Sequence, residues 1–359
     1  MPNEVMRSAT LRSVLITLGL VALALVGLYL LRSFAAALLL IFAGILFGIF
    51  LNGLTNLAVA WLRLPRWAAL TLICVLLLGA AGAFIWLAGP QVVGQMQQLA
   101  KQLPKSISAL LDRLRRYDWG RALLGNMPSL GKMHWSIEAL LGPVTQAFSI
   151  TIEIIGWFVF VFFVGLYLAA APSDYLDPAL LVLAPTHRAR GREVFHALGQ
   201  GLGWWLFGRA VTMTSLGIVT ALALWLFGIP LALVLGMIAG LLLFVPYIGA
   251  IAAAIPALLV ALMESPAKAL WVLVIYTAVH VFEGYFITPF VQRRAVALPP
   301  GLLLSVQILS ASLFGLGGLV FSTPLTVVGI ILVQMLYVQD VLGEKVAVLG
   351  DHHANEPAP

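Results

Sequence analysis

Residues 231–263 read LALVLGMIAGLLLFVPYIGAIAAAIPALLVALM, and residues 300–338 read PGLLLSVQILSASLFGLGGLVFSTPLTVVGIILVQMLYV. Neither stretch contains a charged residue. A straight helix of either length would extend about 50–60 Å, whereas the hydrocarbon core of a bilayer is roughly 30 Å thick. Each stretch also carries glycine and proline near its middle. Paired, interrupted apolar segments of this kind are typical of the binding region of a membrane transporter.

The composition of the whole chain points to lipid as its solvent. Hydrophobic residues make up 62% of the sequence, charged residues only 9%, and the mean hydropathy is +1.05. Soluble domains have about 45–50% apolar and about 25% charged residues. The apolar runs are long and continuous rather than alternating with a period of two, which indicates helices and not barrel strands. We therefore predict an all-α, polytopic membrane protein that contacts the lipid bilayer.

Apolar runs and the charged stretches between them divide the chain into four regions. The sequence predicts about eight membrane segments, at residues 13–31, 34–51, 67–89, 147–171, 206–227, 231–263, 269–288 and 300–338. The predicted regions are a three-helix membrane region (1–90), an amphipathic helical insert outside the membrane (91–145), a C-terminal transport region (146–338) and a polar, disordered tail (339–359). The run at 13–31 follows two arginines, as in a signal peptide, but its length favours an uncleaved membrane helix.

The insert is identified by its helical spacing of apolar and polar residues. Val92, Met96, Leu99 and Leu103 recur every three or four positions, with Gln95 and other polar or basic residues between them. Such a pattern is typical of amphipathic helices that pack on each other or on the membrane surface. The insert is either a structural cap or a surface that binds a partner or forms an oligomer.

Basic residues indicate the orientation of the chain. The formal net charge is +6, but lysine and arginine are scattered over loops instead of forming a stripe, so we predict no binding of nucleic acid. Arginines at 7 and 12, at 63 and 66, and at 188, 190 and 192 suit cytoplasmic loops, with both termini cytoplasmic. This bias is satisfied when 231–263 is a re-entrant hairpin opening outside and 300–338 one opening inside. The alternative is two long, kinked helices.

Glu283 is the strongest candidate for a functional charge within the membrane. His280 lies three residues before it and Tyr276 a further turn back, so the three share a helical face. A carboxylate beside an imidazole can share a proton or bind a cation, and charges in membrane spans are costly enough to be functional candidates. Alternatively, Glu283 makes a structural hydrogen bond or an ion pair with Arg293 or Arg294. Thr288 and Pro289 lie at the end of the same run, and we assign them to the predicted pathway as well.

Other polar side chains interrupt the apolar runs at isolated positions. Arg209 opens the fifth span, where we favour snorkelling to the cytoplasmic interface over attraction of an anionic substrate or pairing with Glu283. Gln307 and Gln334 lie in the last apolar run. They could line a polar pathway, or they could bond between helices for roughly 0.6–2 kcal/mol each.

Glycine and proline shape the backbone at the two interruptions. Glycine permits close approach or positive φ, and proline frees a helical carbonyl that could coordinate an ion or a polar substrate. The alternative role of the small residues is helix packing. The residues assigned to this part of the pathway are Pro246, Gly249, Pro256, Gly317, Gly318 and Pro324.

Motifs for common enzymes and cofactors do not occur in the sequence. It has no phosphate-binding loop, zinc-protease motif or nucleophile elbow, and its glycine-rich stretches do not follow strands. Cys74 is the single cysteine, and we expect the adjacent His352 and His353 to point apart and therefore to make a poor metal site. We predict no enzymatic activity, no cofactor and no metal site.

Four motifs together resemble the AI-2E family of transporters over nearly the whole chain. They are Gly228-Ile-Pro230, Phe244-Val-Pro-Tyr-Ile-Gly249 with Pro256, Glu283-Gly-Tyr-Phe-Ile-Thr-Pro289, and Phe314-Gly-Leu-Gly-Gly318 with Pro324. The chain departs from the family at Arg209, where members often have glutamine, and at Ala250, where they often have proline. The resemblance implies a prokaryotic inner-membrane protein that assembles as a homo-oligomer. It also implies a function, because members are linked to export of autoinducer-2 or to sodium/proton antiport.

The sequence therefore predicts a multi-pass transporter without its own ATP site. The leading hypothesis is export of a small polar solute or signalling molecule, driven by an ion gradient or by the gradient of the solute. The main alternative is cation/proton antiport with Glu283 as the titrating ligand. A membrane scaffold or sensor that transports nothing is the third hypothesis.

Overall fold

The computed structural model describes residues 33–118, 147–287 and 299–344, together with residues 19 and 346, and every regular element in these ranges is helical. The nine α-helices are α1 (Ala35–Leu62), α2 (Arg66–Arg115), α3 (Ala147–Ala170), α4 (Pro172–Leu181), α5 (Arg188–Leu226), α6 (Ala232–Leu242), α7 (Ile248–Glu264), α8 (Pro266–Phe282) and α9 (Pro300–Leu332). A 3₁₀ turn lies at Pro185–His187, and π-helical turns lie at Glu283–Ile287 and Val333–Gln339. The prediction of an all-α fold is confirmed.

Five helices in the described ranges are long and apolar enough to cross a membrane. They are α1, α2, α8 with its first π residues, α5 with its 3₁₀ turn, and α9 with its π turn, although the backbone of α9 is not helical at Gly315. The helices α3 and α4 make a sixth span only if counted together across their 84° bend. The predicted run 231–263 forms two shorter apolar helices, α6 and α7, and the predicted run 13–31 lies outside the residues described apart from residue 19. A multi-pass protein is shown, while the number of eight segments stays a prediction.

Small residues bring α1 and α3 into close contact. Gly48 lies so near Gly165 that a Cβ atom on Gly48 would be 3.1 Å from the Gly165 carbonyl oxygen, and Gly44 packs in the same way on Val164. Lipid tails are as apolar as the helices, so close van der Waals packing replaces the hydrophobic effect as the force between them. Glycines four residues apart therefore hold this N-terminal helix pair together.

α2 extends well beyond the predicted span at 67–89. It continues through Pro90 and Pro104 as one helix, so the first part of the predicted insert is an extension of a membrane helix. In this extension Leu99 is buried in the cluster formed around α6 and α7, and Gln95 Oε1 accepts a hydrogen bond of 3.1 Å from Val234 N in the first turn of α6. Residues 119–146 lie outside the described ranges, and a separate subdomain in this region stays a prediction.

α5 is the central helix, with a different core on each half. Near its end, Gly217 meets Gly236 and Gly240 of α6 at backbone-to-backbone distance. Near its beginning, Leu202 and Trp205 pack with the second half of α9 and with α1 in a cluster that includes Leu46, Val327 and Ile331. The two interrupted stretches identified in the sequence therefore pack on α5 at different places: α6, from residues 231–263, on the half near its end, and the second half of α9, from residues 300–338, on the half near its beginning.

Polar contacts identify the two ends of the bundle. Arg190, at the start of α5, pairs with Asp340 at 2.9 Å and donates to the Met335 carbonyl at 2.9 Å, so the end of the chain's last helix lies beside the start of α5. At the opposite end of α5, Lys268 Nζ donates to Gly228 O at 2.9 Å. The first turn of α5 and the π turn that follows α9 therefore lie at the same end of the bundle, while their cytoplasmic placement stays a prediction.

Candidate functional site

The first interrupted stretch breaks at a tight turn between α6 and α7. Tyr247 has φ 62° and ψ −62°, and the carbonyl oxygen of Pro246 accepts a 2.7 Å hydrogen bond from Ile248 N. These are the marks of a γ-turn of the rare, strained type. A residue with a side chain in such a conformation costs about 1–3 kcal/mol, and residues of this kind cluster at ligand sites and switch regions. The sequence placed the interruption here but did not single out Tyr247.

The first interrupted stretch begins and ends beside the same end of α5. Gly228 precedes α6 and Lys268 follows α7, yet they are joined by a hydrogen bond. At the turn itself, the backbone of Gly249 lies against the Leu242 carbonyl, where any Cβ atom would collide. Close approach, rather than positive φ, is thus the reason for this glycine. The segment is a helical hairpin in shape, and its re-entrance into a bilayer stays a prediction.

The second interrupted stretch also turns back on itself. Gly315 has φ 63° and ψ −147°, and a Cβ on Gly318 would collide with the carbonyl oxygen of Ser310. In a straight helix, residues eight positions apart are separated by about 12 Å. The contact therefore requires a reversal of the chain at Gly315. In the sequence, Gly315 stood out only as part of the Phe314–Gly318 motif. Gly317 lies at the same turn, where a Cβ would be 3.0 Å from Leu39 of α1.

Gln307 connects the two interrupted stretches. Its side chain is fully buried, and Nε2 donates to the carbonyl oxygen of Pro246 at 3.1 Å. Pro246 O thus accepts from both Gln307 and Ile248. The amide oxygen Oε1 of Gln307 is buried without a hydrogen-bond partner among the described residues.

Arg209 reaches the same break from α5. Its Nη2 donates a long hydrogen bond of 3.5 Å to Phe244 O, and its Nε is buried with no partner in the described ranges. Beside it, Trp205 makes an edge-to-face contact with Phe244, with 5.7 Å between ring centroids. The favoured expectation that Arg209 snorkels to the interface does not fit these contacts. The break offers carbonyl acceptors inside the bundle, and the guanidinium turns toward them.

Glu283 and His280 lie together at the start of a π-helical turn. Glu283 Oε2 and His280 Nδ1 are 3.1 Å apart, and the two side chains are 16% and 31% exposed. The Glu283 carboxylate also acts electrostatically on Arg209, although the two form no ion pair. π-Helical turns are frequently found at functional sites. Arg293 and Arg294, the alternative partners of Glu283, lie outside the described residues, as do Thr288 and Pro289.

Tyr276 and the remaining prolines support the backbone around the site. The Tyr276 hydroxyl donates to Ala253 O at 3.2 Å, one turn before Pro256 in α7. Proline disrupts the hydrogen bonds of the turn that precedes it, so this hydroxyl supplies a donor where the helix is weakened. Tyr276 therefore joins α8 to α7 instead of contacting Glu283. Pro324 lies within the second half of α9, where the neighbouring Thr323 Oγ1 is buried without a partner in the described part of the chain.

The site brings together polar groups from four parts of the bundle: α5, the break between α6 and α7, the π turn after α8, and the first half of α9. Sequence spacing suggested Glu283 with His280, whereas only the structure brings Arg209 and Gln307 to the same carbonyl-bearing turn. The described residues contain no group of three side chains suited to a metal ion. The site therefore offers hydrogen-bonding groups, a positive charge at Arg209 and a carboxylate beside an imidazole at Glu283 and His280.

A family model described as AI-2E family transporter matches residues 18–337, which include the first interrupted stretch and all but the last residue of the second. The chain belongs to the AI-2E family of transporters. It is 26% identical over 301 residues to a Bacillus subtilis protein named "Putative transport protein YrrI", covering 80% of this chain and 84% of that protein. A second B. subtilis protein, "Putative transport protein YueF", is 25% identical over 297 residues, covering 79% and 80%. The resemblance drawn from the four motifs is thus confirmed.

Within this AI-2E family member, the matched motifs coincide with the structural breaks. The Phe244–Gly249 motif forms the γ-turn, and the Phe314–Gly318 motif forms the reversal in α9. A Thermotoga maritima "Putative transport protein" is 26% identical over a shorter match of 143 residues, 40% of this chain and 44% of that protein. The chain is a permease-type membrane protein.

Proposed function

We propose that this AI-2E family member exports a small polar solute across the prokaryotic inner membrane, with both termini in the cytoplasm. The solute passes between the two interrupted stretches, and its movement is driven by an ion gradient or by its own gradient. The observation that carries this proposal is the bond between Gln307 and Pro246, because it places a buried amide against an unwound backbone inside an apolar bundle.

Polar satisfaction supports the choice of this location. An unpaired polar group in hydrocarbon costs several kcal/mol, so non-helical backbone at membrane depth is tolerated only inside protein or beside water. Here three buried polar atoms, on Arg209, Gln307 and Thr323, have no partner in the described ranges. A polar solute or the water around it would satisfy such atoms, which makes the breaks a favourable stopping point on a pathway.

The second candidate function is cation/proton antiport at Glu283. The observation that favours it is the 3.1 Å separation between Glu283 Oε2 and His280 Nδ1, since a carboxylate beside an imidazole can exchange a proton for a cation. In this mechanism the pathway is the same, but the transported species is an ion held by Glu283. Assembly as a homo-oligomer belongs to either proposal and rests on the family resemblance alone.

Purified full-length protein in liposomes separates the two functions. One sample measures the efflux of labelled autoinducer-2, and a parallel sample measures the response of an internal pH dye to added sodium. The proposed export function predicts solute flux above that of empty liposomes, with or without a sodium response. A sodium-dependent pH change without solute flux assigns antiport instead. A protein that gives neither signal contradicts both, and a scaffold or sensor then remains.

A further inference from the structure

Arg209 gives the site a charge that the proposed export of a polar solute does not by itself require. A guanidinium carries five N–H donors, and Nε with a neighbouring Nη forms a planar fork that matches an oxyanion. In this chain the described residues engage that fork weakly. Nε is buried and unpaired, and Nη2 makes one bond of 3.5 Å to a backbone carbonyl.

Nearby acidic groups leave this fork open. The acid nearest in effect to Arg209 is Glu283, but its Oε2 lies 3.1 Å from His280 Nδ1, and it forms no ion pair with Arg209. A buried arginine without a carboxylate partner is costly, and the cost is offset when a ligand supplies the negative charge.

Gln307 approaches the same turn as Arg209, but its free amide oxygen needs a hydrogen-bond donor, whereas Arg209 needs an acceptor. Arg209 donates to the carbonyl of Phe244, and Gln307 donates to the carbonyl of Pro246. These carbonyls are two residues apart in the chain, so both side chains approach the same short backbone segment. Arg209 Nε needs an acceptor, whereas Gln307 Oε1 needs a donor. A ligand that satisfies both carries an oxyanion and, next to it, a hydroxyl group.

From this complementarity we propose that Arg209 and Gln307 form a binding subsite for a small hydroxylated oxyanion, such as a hydroxycarboxylate. The inference rests on the proposed function, and it narrows the solute from any polar molecule to an anionic one. Arg209 binds the oxyanion and Gln307 Oε1 accepts from the hydroxyl.

Binding of three matched probes tests the charge requirement. Isothermal titration of the purified full-length protein compares glycerate, which has the carboxylate and hydroxyls, with glycerol, which lacks the carboxylate, and glycerol 3-phosphate, which replaces it by phosphate. We expect glycerate to bind at least tenfold more tightly than glycerol. Tighter binding of glycerol 3-phosphate than of glycerate retains the oxyanion site and assigns it to phosphate. Equal binding of glycerol and glycerate, or no binding of either anion, overturns the proposal.

Variants of Arg209 separate ligand binding from a structural role. Arg209→Gln removes the charge but keeps a polar side chain, and we expect at least a tenfold loss in glycerate affinity without a change for glycerol; a size-exclusion profile checks that the variant folds. Arg209→Lys keeps the charge without the fork and is expected to lie between the two. The matched control is Arg192→Gln, because Arg192 is exposed and pairs with Asp177 far from the break. Arg209→Gln with an unchanged preference for glycerate contradicts the proposal.

The same liposomes distinguish failure of this inference from failure of the proposed function. Flux of autoinducer-2 together with equal affinity for glycerol and glycerate leaves export intact and removes the anion subsite. Anion binding without flux of any probe retains the subsite and removes export.

Discussion

Gln307 Nε2 donates to the carbonyl oxygen of Pro246 at 3.1 Å, across a separation of 61 residues in the chain. This bond joins the first half of α9 to the γ-turn between α6 and α7. Each partner lies in a stretch too long to be a simple membrane helix. The contact therefore ties the first half of the second stretch directly to the break in the first stretch.

Replacing Gln307 by leucine removes the link between the two stretches. We expect Gln307→Leu to lower solute flux at least about tenfold, because Pro246 O loses a donor and the pathway loses a polar group. The effect on stability is expected to be small, since hydrogen bonds between membrane helices are worth roughly 0.6–2 kcal/mol and Oε1 is already unpaired. Liposome flux and thermal unfolding in detergent measure the two effects.

The control for Gln307 is Ser305→Ala in the same helix. Ser305 is exposed, and its hydroxyl donates to Gly301 O within its own turn, so flux and unfolding temperature are expected to stay at wild-type values. Flux of the Gln307→Leu variant equal to that of Ser305→Ala would remove Gln307 from the pathway.

A methyl group at Gly249 is expected to open the γ-turn. Its Cβ would collide with the Leu242 carbonyl, and backbone cannot move aside as a flexible side chain can. Overpacking of this kind typically costs about 1–3 kcal/mol. Thermal unfolding should show a clear loss for Gly249→Ala and none for Gly329→Ala, because a Cβ at Gly329 has no atom within 4 Å. Equal unfolding temperatures for both variants would contradict the close packing of the hairpin.

Removing the charge of Glu283 tests the role of the buried acid. We expect Glu283→Gln to fold, to keep a hydrogen bond with His280, and to lose about tenfold or more in transport rate because the group can no longer exchange a proton. Glu264→Gln is the matched control, since Glu264 pairs with Lys268 at the exposed end of α7. Size-exclusion profiles establish folding, and liposome flux with the pH dye measures transport. A Glu283→Gln variant as active as Glu264→Gln assigns the acid a structural role.

The orientation of the hairpins is accessible to single-cysteine labelling. In a Cys74→Ala background, cysteines at Ser265 and Arg293 are treated in intact cells with a membrane-impermeant thiol reagent. We expect labelling at Ser265 from outside and at Arg293 only after the membrane is opened. The reverse pattern, or labelling of both from one side, would rule out the paired re-entrant arrangement.

Local features of this protein could be read from its sequence, and features that depend on distant contacts could not. Spacing of three residues places His280 beside Glu283, and the proline-glycine pattern locates the break at 244–249. The approach of Arg209 and Gln307 to that break depends on how α5 and α9 pack. Residue type alone therefore suggested snorkelling for Arg209, which the buried position of its Nε does not support.

Backbone conformation was predicted in part. At the second interruption, Gly317 and Gly318 were the candidates for close approach or positive φ, and both serve close packing. The positive φ falls instead on Gly315, which the sequence indicated only as part of a motif. Tyr247 adopts positive φ although its side chain disfavours this region. No sequence pattern predicts that strain, because it is imposed by the γ-turn and by the hydrogen bonds to Pro246 O.

Water access to the γ-turn tests the central claim most directly, because a transport pathway requires an aqueous route to the unwound backbone. In a Cys74→Ala background, Tyr247→Cys and Leu270→Cys place a thiol at the break and on the exposed, apolar surface of α8. The account predicts that a water-soluble maleimide labels Tyr247→Cys in liposomes, and that bound solute slows this labelling, while Leu270→Cys stays unlabelled. A thiol at position 247 as unreactive as the one at position 270 would contradict it.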